Sequence, residues 1–327
     1  MSEQSENVSV EKRAAIVLGA LVADAASMGL HWLYDPERLA TIAEKSGPAF
    51  LNADRQNFDG AKGYFAHEGK RAGDLSQYGA VLALATDSLA SSQGEPDIAD
   101  YQQRFLAFFG PGGEWQGYID RPTRGALANL GAGGSEETPE VTGIDDDQLP
   151  ALSPVPAVVA AGPEHSDLEM RVTGMVRVTN DNPLAVEAAS MLARLIRSML
   201  RGEGLNTALD AEAEQVGDVL QPLLNEALGN ADQSSVDIAG HFGRACHVQQ
   251  GLPVVFHILK TADSFEDGVR KNILAGGDSC GRAMALGSIL GARFGFGGER
   301  GIPLPWLTRL RDGARLVDQA YLLGALK

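Results

Sequence analysis

Cysteine is scarce in this chain: Cys246 and Cys280 are the only two among 327 residues. Two thiols build no disulfide framework, so a small stapled secreted scaffold is excluded and a reducing, cytoplasmic setting is expected. Basic residues are also few. Lys and Arg number 27 against 43 Asp and Glu, a net charge of −16, and so acidic a chain lacks the basic face that a polyanion needs. Neither nucleic acid nor an anionic membrane is an expected partner, although a small phosphorylated ligand needs only a few local donors. The longest apolar run, Ala14 to Leu33, carries Asp24 and His31 inside it and reads as a buried helix rather than a membrane span. The opening "MSEQSENVSVEKR" is polar and acidic, unlike the basic start of a secretory leader, and residues 1–10 are expected to be flexible. Nucleotide-binding glycine fingerprints, Walker motifs and paired His-x-x-x-His zinc ligands are absent as well.

What the chain does have is helical periodicity. In "VEAASMLARLIRSML", Val186, Ala189, Met191, Leu192, Leu195, Met199 and Leu200 form one broad apolar face. Similar patterns predict helices over 9–29, 76–91, 97–109, 147–161, 183–201, 209–228, 252–260, 265–275, 280–295 and 305–323. The stretch 171–179, "RVTGMVRVT", alternates enough for a short strand, but between helices it is read as continuing one. Sustained alternation is otherwise rare, so the fold expected is all-α, a single domain over 1–327 with a full-sized core. Gly-rich polar loops punctuate it at 46–74, 110–125 and 131–147, and the first is too long for a mere connector.

Three segments share one design, in which a loop delivers aspartate to the start of an apolar helix: Asp74, Asp145 to Asp147, and Asp278. Capping accounts for each by itself, since Asp74 with Gln77 and Asp145 with Gln148 match the capping-box spacing and Asp278 can serve as an N-cap. A capping carboxylate still has oxygen to offer a cation. The helix after Asp278 is studded with Gly281, Gly287, Gly291 and Gly295. Glycine costs about 1 kcal/mol against alanine at each helical position, so the run implies close contact with another backbone. The first helix answers with Gly19, Ala23, Ala26 and Ser27. Packing the two together brings Asp24 towards Asp278, and a divalent cation would satisfy such buried carboxylates.

"GALVADAASMGLHW" near the start and "SFEDGVRKNILAGGDSCGRAMALGSILGARFG" followed by "IPLPW" near the end resemble the two signature ends of the ADP-ribosylglycohydrolase family. "GDLSQYG", "WQGYIDRPTRGAL" and "VTNDNPLAVEAASMLARLI" match in order between them, over about residues 12 to 311. "DDDQLPAL", "RVTNDNPLAV" and the cysteine of "GGDSC" are most similar to its J1 crystallin and selenoprotein J branch. The resemblance implies a compact all-α bundle whose central cleft holds two magnesium ions, binds ADP-ribose and hydrolyses its bond to a protein side chain. Carried onto this chain, Asp24, Asp74, Ser76 and Asp278 would be the metal ligands. The family's Thr-Asp-Asp run is Gly73-Asp74-Leu75 here, and its late Asp-x-Asp-Thr run is Asp278-Ser279-Cys280-Gly281. Two carboxylates are gone, and a thiol is a poor ligand for Mg²⁺. At most one Mg²⁺ is therefore expected, with none possible, unless Asp145 to Asp147 compensate.

His31 stands where the family places an acidic residue, and a neutral imidazole there can act as general base. The catalytic candidates are thus Asp74, Asp278, His31 and Cys280. Cys280 is read either as a reactive thiol favoured by the helix dipole or as a small buried side chain filling a lost ligand's place. Cys246 and His257 read as core. Trp115, Tyr118, Arg121 and Thr123, with Gly276 and Gly277, are the candidate ligand-binding residues, through stacking, guanidinium and backbone amide contacts; ordinary packing is the alternative. Three functions compete: hydrolysis of a glycosidic bond to ADP-ribose or a related ribosyl compound, a catalytically silent binding or crystallin-like structural role, and, behind these two, thiol chemistry at Cys280 in the same cleft.

Overall fold

The computed structural model describes residues 8–132 and 141–326. Most of the arm read as flexible (residues 1–7) and part of the 131–147 loop lie outside the described residues. The first helix, α1 (Val10–Ser27), starts where Ser9 accepts a hydrogen bond from the Lys12 amide, with Glu11 near the positive end of the helix dipole. It is followed by α2 (Pro36–Ser46), α3 (Gln77–Ser91), α4 (Ile98–Phe109), α5 (Arg121–Ala132), α6 (Val155–Ala161), α7 (Leu168–Val176) and α8 (Pro183–Leu200). The rest of the chain forms α9 (Leu205–Gln215), α10 (Gln221–Gly229), α11 (Ser235–Phe242), α12 (Val248–Thr261) and α13 (Phe265–Ala275). Then come α14 (Ser279–Phe294), α15 (Leu304–Leu307) and α16 (Gly313–Gly324). Among the described residues there is no β-sheet, only four isolated bridges. The fold is all-α, as the periodicity predicts.

The centre of the molecule is the pair α1 and α14. Helix α1 is long and apolar enough to cross a membrane, yet every residue from Arg13 to Ser27 is buried within the protein. The small residues explain how the two helices meet. A Cβ added at Gly287 would overlap the Gly19 carbonyl oxygen and lie 2.7 Å from Ala23 Cβ. One at Gly19 would run into the Gly287 carbonyl and come within 3.1 Å of Gly291 Cα. The glycines therefore buy backbone-to-backbone contact, which sets the depth at which Asp24 and the tip of α14 face each other.

Departures from the expected helices have local causes. The predicted 147–161 helix is a short 3₁₀ turn (Leu149–Leu152) and α6, parted at Pro154. The 209–228 helix is α9 and α10, interrupted near Gly217 and restarted with Pro222 in its first turn. The 305–323 helix divides where Asp312 turns left-handed, at φ 58°. Three helices escape the periodicity reading. Helix α2 buries only Leu39 and so lacks a broad apolar face, α5 holds Pro122 and Gly125, and α11 is short. Residues 171–176 are the end of α7, so the alternating stretch is helix and not strand.

Candidate functional site

The tip of α14 is a closed polar network. Asp278 caps the helix: its Oδ1 accepts the Gly281 amide at 3.0 Å and lies 2.8 Å from His31 Nε2. His31 follows a single 3₁₀ turn (Met28–Leu30) after α1, and its Nδ1 lies 2.7 Å from Nε2 of His67. Asp278, His31 and His67 are all buried, at 0, 1 and 5% exposure. The two imidazoles meet edge to edge, centroids 5.0 Å apart and planes 24° from parallel, Trp32 packs 4.2 Å from His31, and the Tyr78 ring lies steeply across it. Burial, the neighbouring His31 and the charge of Lys70 push His67 well below the usual histidine range, so it is neutral.

The backbone holds this arrangement together. Trp32 has φ 64°, a conformation that a bulky residue keeps only when its surroundings impose it. Its amide donates to the Gly277 carbonyl at 2.8 Å, and the Gly277 amide donates back to Leu33 O at 2.8 Å. Gly277 has φ 67° and no room for a side chain, because a Cβ would strike the Arg244 carbonyl. The Gly276 amide caps α13, and its carbonyl accepts Arg282 NH2 at 2.6 Å. These glycines tie two segments together, and their amides are already engaged rather than presented to a phosphate.

Five enclosed polar atoms at or near the tip have no partner: Asp278 Oδ2, Ser279 Oγ and Arg282 Nη1 from the tip itself, with Tyr78 Oη and Asp120 Oδ2. Tyr78 is shifted well upward by burial, reinforced by the charges of Asp278 and Asp120. Asp120 is raised by burial, despite hydrogen bonds from Gln77 and Thr123. Beneath them Arg282 is fully buried, bonded through Nε to Asn272 Oδ1 at 2.8 Å, and lowered to about 10 by desolvation. At the edge of the network Trp32, Tyr64 and Tyr118 form a cluster of aromatic rings with centroids 4.9 to 6.0 Å apart.

The tip of α3 is built differently. Ser76 is its N-cap and also the partner of Asp24: Ser76 N donates to Asp24 Oδ2 at 2.8 Å and Ser76 Oγ to Oδ1 at 2.5 Å. Both Asp24 oxygens are thus occupied. Burial raises Asp24 to about 6, with the Ser76 bonds pulling the other way. Cys280 lies between the two tips, fully buried, with Sγ 3.8 Å from the Asp24 carbonyl oxygen. Burial and the charges of Asp24 and Asp278 push its thiol well up, overriding the helix dipole. These influences disfavour a thiolate, and Cys280 fills space between the tips as a buried thiol.

The structure places Asp74 away from this network. It pairs with Arg311 Nε at 2.9 Å and accepts the Arg71 amide at 2.7 Å. With Lys70, Trp115 and Arg315 it lines a separate groove of about 750 Å³ that includes neither histidine nor Asp278. Trp115 belongs to that groove, under the Lys70 ammonium at 3.9 Å. Tyr118 is in the aromatic cluster beside Trp32. Arg121 pairs with buried Asp146 at 2.5 Å, and Thr123 is buried, accepting Gln77 Nε2 at 2.5 Å. Asp145 and Asp147 bond Asn182 and His247. The 145–147 acidic run is therefore held by its own neighbours.

The donor set does not fit the paired magnesium centre that the resemblance implies. Asp24 is saturated by Ser76, Asp74 faces Arg311, and Cys280 offers sulfur. A Cβ at Gly281 would collide with Asp278 Oδ2, so the threonine of the family motif has no room beside the carboxylate as it stands. No group of three His, Cys, Asp or Glu side chains suited to a metal forms among the described residues. Spacing missed His67, which sits in an irregular loop where periodicity carries no information. Its only signal was the unusual length of the 46–74 loop. Asp120 and Tyr78 were hidden within segments read for stacking and capping.

Comparison with known proteins agrees with this architecture. Crystallin J1A from Tripedalia cystophora is 24% identical over 98% of this chain and 99% of its own length. Crystallin J1B from the same organism is 25% identical over 97% of each. The ADP-ribosyl-[dinitrogen reductase] glycohydrolase of Rhodospirillum rubrum is 24% identical over 54% of this chain and 56% of its own. A solved structure described as an ADP-ribosylglycohydrolase-related protein complex superposes with a TM-score of 0.72 at 20% identity, covering 97% of this chain and 98% of that one. The sequence model of the ADP-ribosylglycohydrolase family matches residues 6–326, and the chain belongs to that family.

Proposed function

We propose that the protein is a glycoside hydrolase of the ADP-ribosylglycohydrolase type, cleaving the bond between ribose and a leaving group in ADP-ribose-linked protein or a related ribosyl compound. The observation that carries this reading is Asp278 Oδ2, a carboxylate oxygen sealed from solvent with no partner; Tyr78 Oη, which feels the Asp278 charge, is likewise unpartnered. Leaving such an atom unsatisfied costs about 1–3 kcal/mol, a cost that a bound ribose hydroxyl would remove. Cleavage passes through an oxocarbenium-like transition state, whose developing positive charge a fixed, desolvated carboxylate stabilises. The acid–base work falls to His31, bonded to the other oxygen of Asp278, and to His67 bonded behind it. The rings of Trp32, Tyr64 and Tyr118 offer apolar faces for a base. One Mg²⁺ at Asp278 Oδ2 is the most that this donor set would take, and a cytoplasmic location suits the two free thiols.

The test is release of ADP-ribose from ADP-ribosylated protein by the wild type and by Asp278→Asn, each with Mg²⁺ and with chelator. Turnover in the wild type that disappears in the variant supports the reading. No turnover and no ADP-ribose binding would leave the second reading, a crystallin-like structural protein. That alternative is favoured by the space-filling Cys280 and by the two full-length crystallin relatives.

A further inference from the structure

The groove beside Asp74 takes no part in the hydrolysis described above. It lies between α3, α4 and the start of α16, and its volume of about 750 Å³ suits a small organic ligand. Part of its lining is apolar: Leu75, Leu84 and Phe108 are only partly covered by the core they pack against. The rest carries charge, and most of that charge is matched internally. Arg311 pairs with Asp74 at 2.9 Å, Arg104 with Asp87 at 2.8 Å, and Arg315 with Asp312. Two charged side chains of the lining form no such pair among the described residues, Glu114 and Lys70. Glu114 is exposed, so water solvates it. Lys70 is half-buried, its ammonium 3.9 Å from the centre of the Trp115 ring, and the ring face replaces only part of the lost hydration. Burial pulls the ammonium below the usual lysine range, and Arg311 adds repulsion against the attraction of Asp74 and Asp24. A partly desolvated cation without a counter-ion, in a cavity with apolar walls, is completed by an anionic head on an apolar body.

We propose that this groove is a second binding site, which takes a small carboxylate with its head on Lys70 and its apolar body along Leu75, Leu84 and Phe108. The charge count selects a monoanion. Each arginine of the lining already has a carboxylate partner, so one positive charge is left to be met. A phosphate dianion or a diphosphate would bring its surplus charge among Asp74, Asp87 and Asp312, where like charges repel it. The apolar walls select the body, since burying it against Leu75, Leu84 and Phe108 removes apolar surface from water on both sides. The groove shares no lining residue with the His31, His67 and Asp278 network, so its ligand and the hydrolysed bond are separate matters.

The indole N–H of Trp115, which donates to Tyr118 O at 3.1 Å, reports on the groove. Nitrogen-15-labelled full-length protein is titrated with 4-phenylbutyrate, with the neutral 4-phenylbutyramide and with inorganic phosphate. Trp115→Phe identifies its signal among the three tryptophans. Phenylbutyrate should shift that signal saturably and leave Trp306 in place, while the amide and phosphate bind about tenfold more weakly or worse. Lys70→Met keeps the apolar stem and loses the charge, and should weaken phenylbutyrate about tenfold. Lys70→Arg keeps the charge and should stay within about threefold, which separates loss of charge from loss of fold. No saturable shift up to about 10 mM phenylbutyrate, or a Lys70→Met protein that binds like wild type, would overturn the assignment. Phosphate binding as tightly as phenylbutyrate would overturn it too, by showing that the apolar walls contribute nothing. So would displacement of phenylbutyrate by ADP-ribose, which would make the groove part of the hydrolytic site. Binding is read without turnover, so failure here leaves the hydrolase reading standing, and a protein that hydrolyses nothing leaves the groove untouched.

Discussion

The tips of α3 and α14 start from the same plan, an aspartate delivered by a loop to an apolar helix, and end in opposite states. At α3 the buried carboxylate of Asp24 is saturated by the amide and hydroxyl of Ser76, while Asp74 turns out to an exposed arginine. At α14 Asp278 is held by His31 and Gly281 through one oxygen and left open at the other. A carboxylate with both oxygens already hydrogen-bonded inside the protein has less to offer a ligand than one with an oxygen left unpartnered. One open oxygen, desolvated and fixed, is what a site needs. Of two tips that read alike, only α14 presents an aspartate with a buried oxygen left unpartnered.

The largest effect should separate the two aspartates. Asp278→Ala removes the N-cap and leaves buried His31 Nε2–H without an acceptor, together about 2–4 kcal/mol. Asp74→Ala removes a half-exposed pair and a turn contact, and should cost about 1 kcal/mol or less. Chemical denaturation of both variants checks this. Equal losses would mean that the two tips are not different in kind.

A smaller effect probes the saturated tip through pH. Burial raises Asp24 from the model-compound value of 3.8 to about 6 in the fold. A raised carboxylate contributes stability that is fully present below pH 3.8 and lost as pH rises through 6. The change amounts to at most about 3 kcal/mol. The stability of wild type relative to Asp24→Asn should therefore rise as pH falls from 7 towards 4. A difference independent of pH would show that Ser76 holds Asp24 ionised throughout, and that burial is not the dominant influence.

The smallest effect lies between the tips. Cys280→Ser replaces a closed thiol with a hydroxyl of similar shape, so stability should drop by about 1 kcal/mol or less and turnover should be unchanged. In the native protein, thiol reagents should reach half-buried Cys246 well before Cys280. Turnover abolished in a folded Cys280→Ser protein would restore the thiol as a participant.

Much of this could be read from residues alone, because the features concerned are local or periodic. The helical repeat specifies an all-α chain, and Asp278 before an apolar run specifies its own cap. The glycines of α14 announce a close partner, since nothing else repays their cost, and α1 is that partner. Pairings across long separations were another matter. His31 and Asp278 are 247 residues apart, and His67 reaches them from an irregular loop. Whether Asp24 binds a ligand or a serine, and whether Asp74 faces the network or an arginine, depends on the direction in which each side chain leaves its backbone. Spacing says which residues can approach one another; only packing in three dimensions decides which lone pairs are left unfilled.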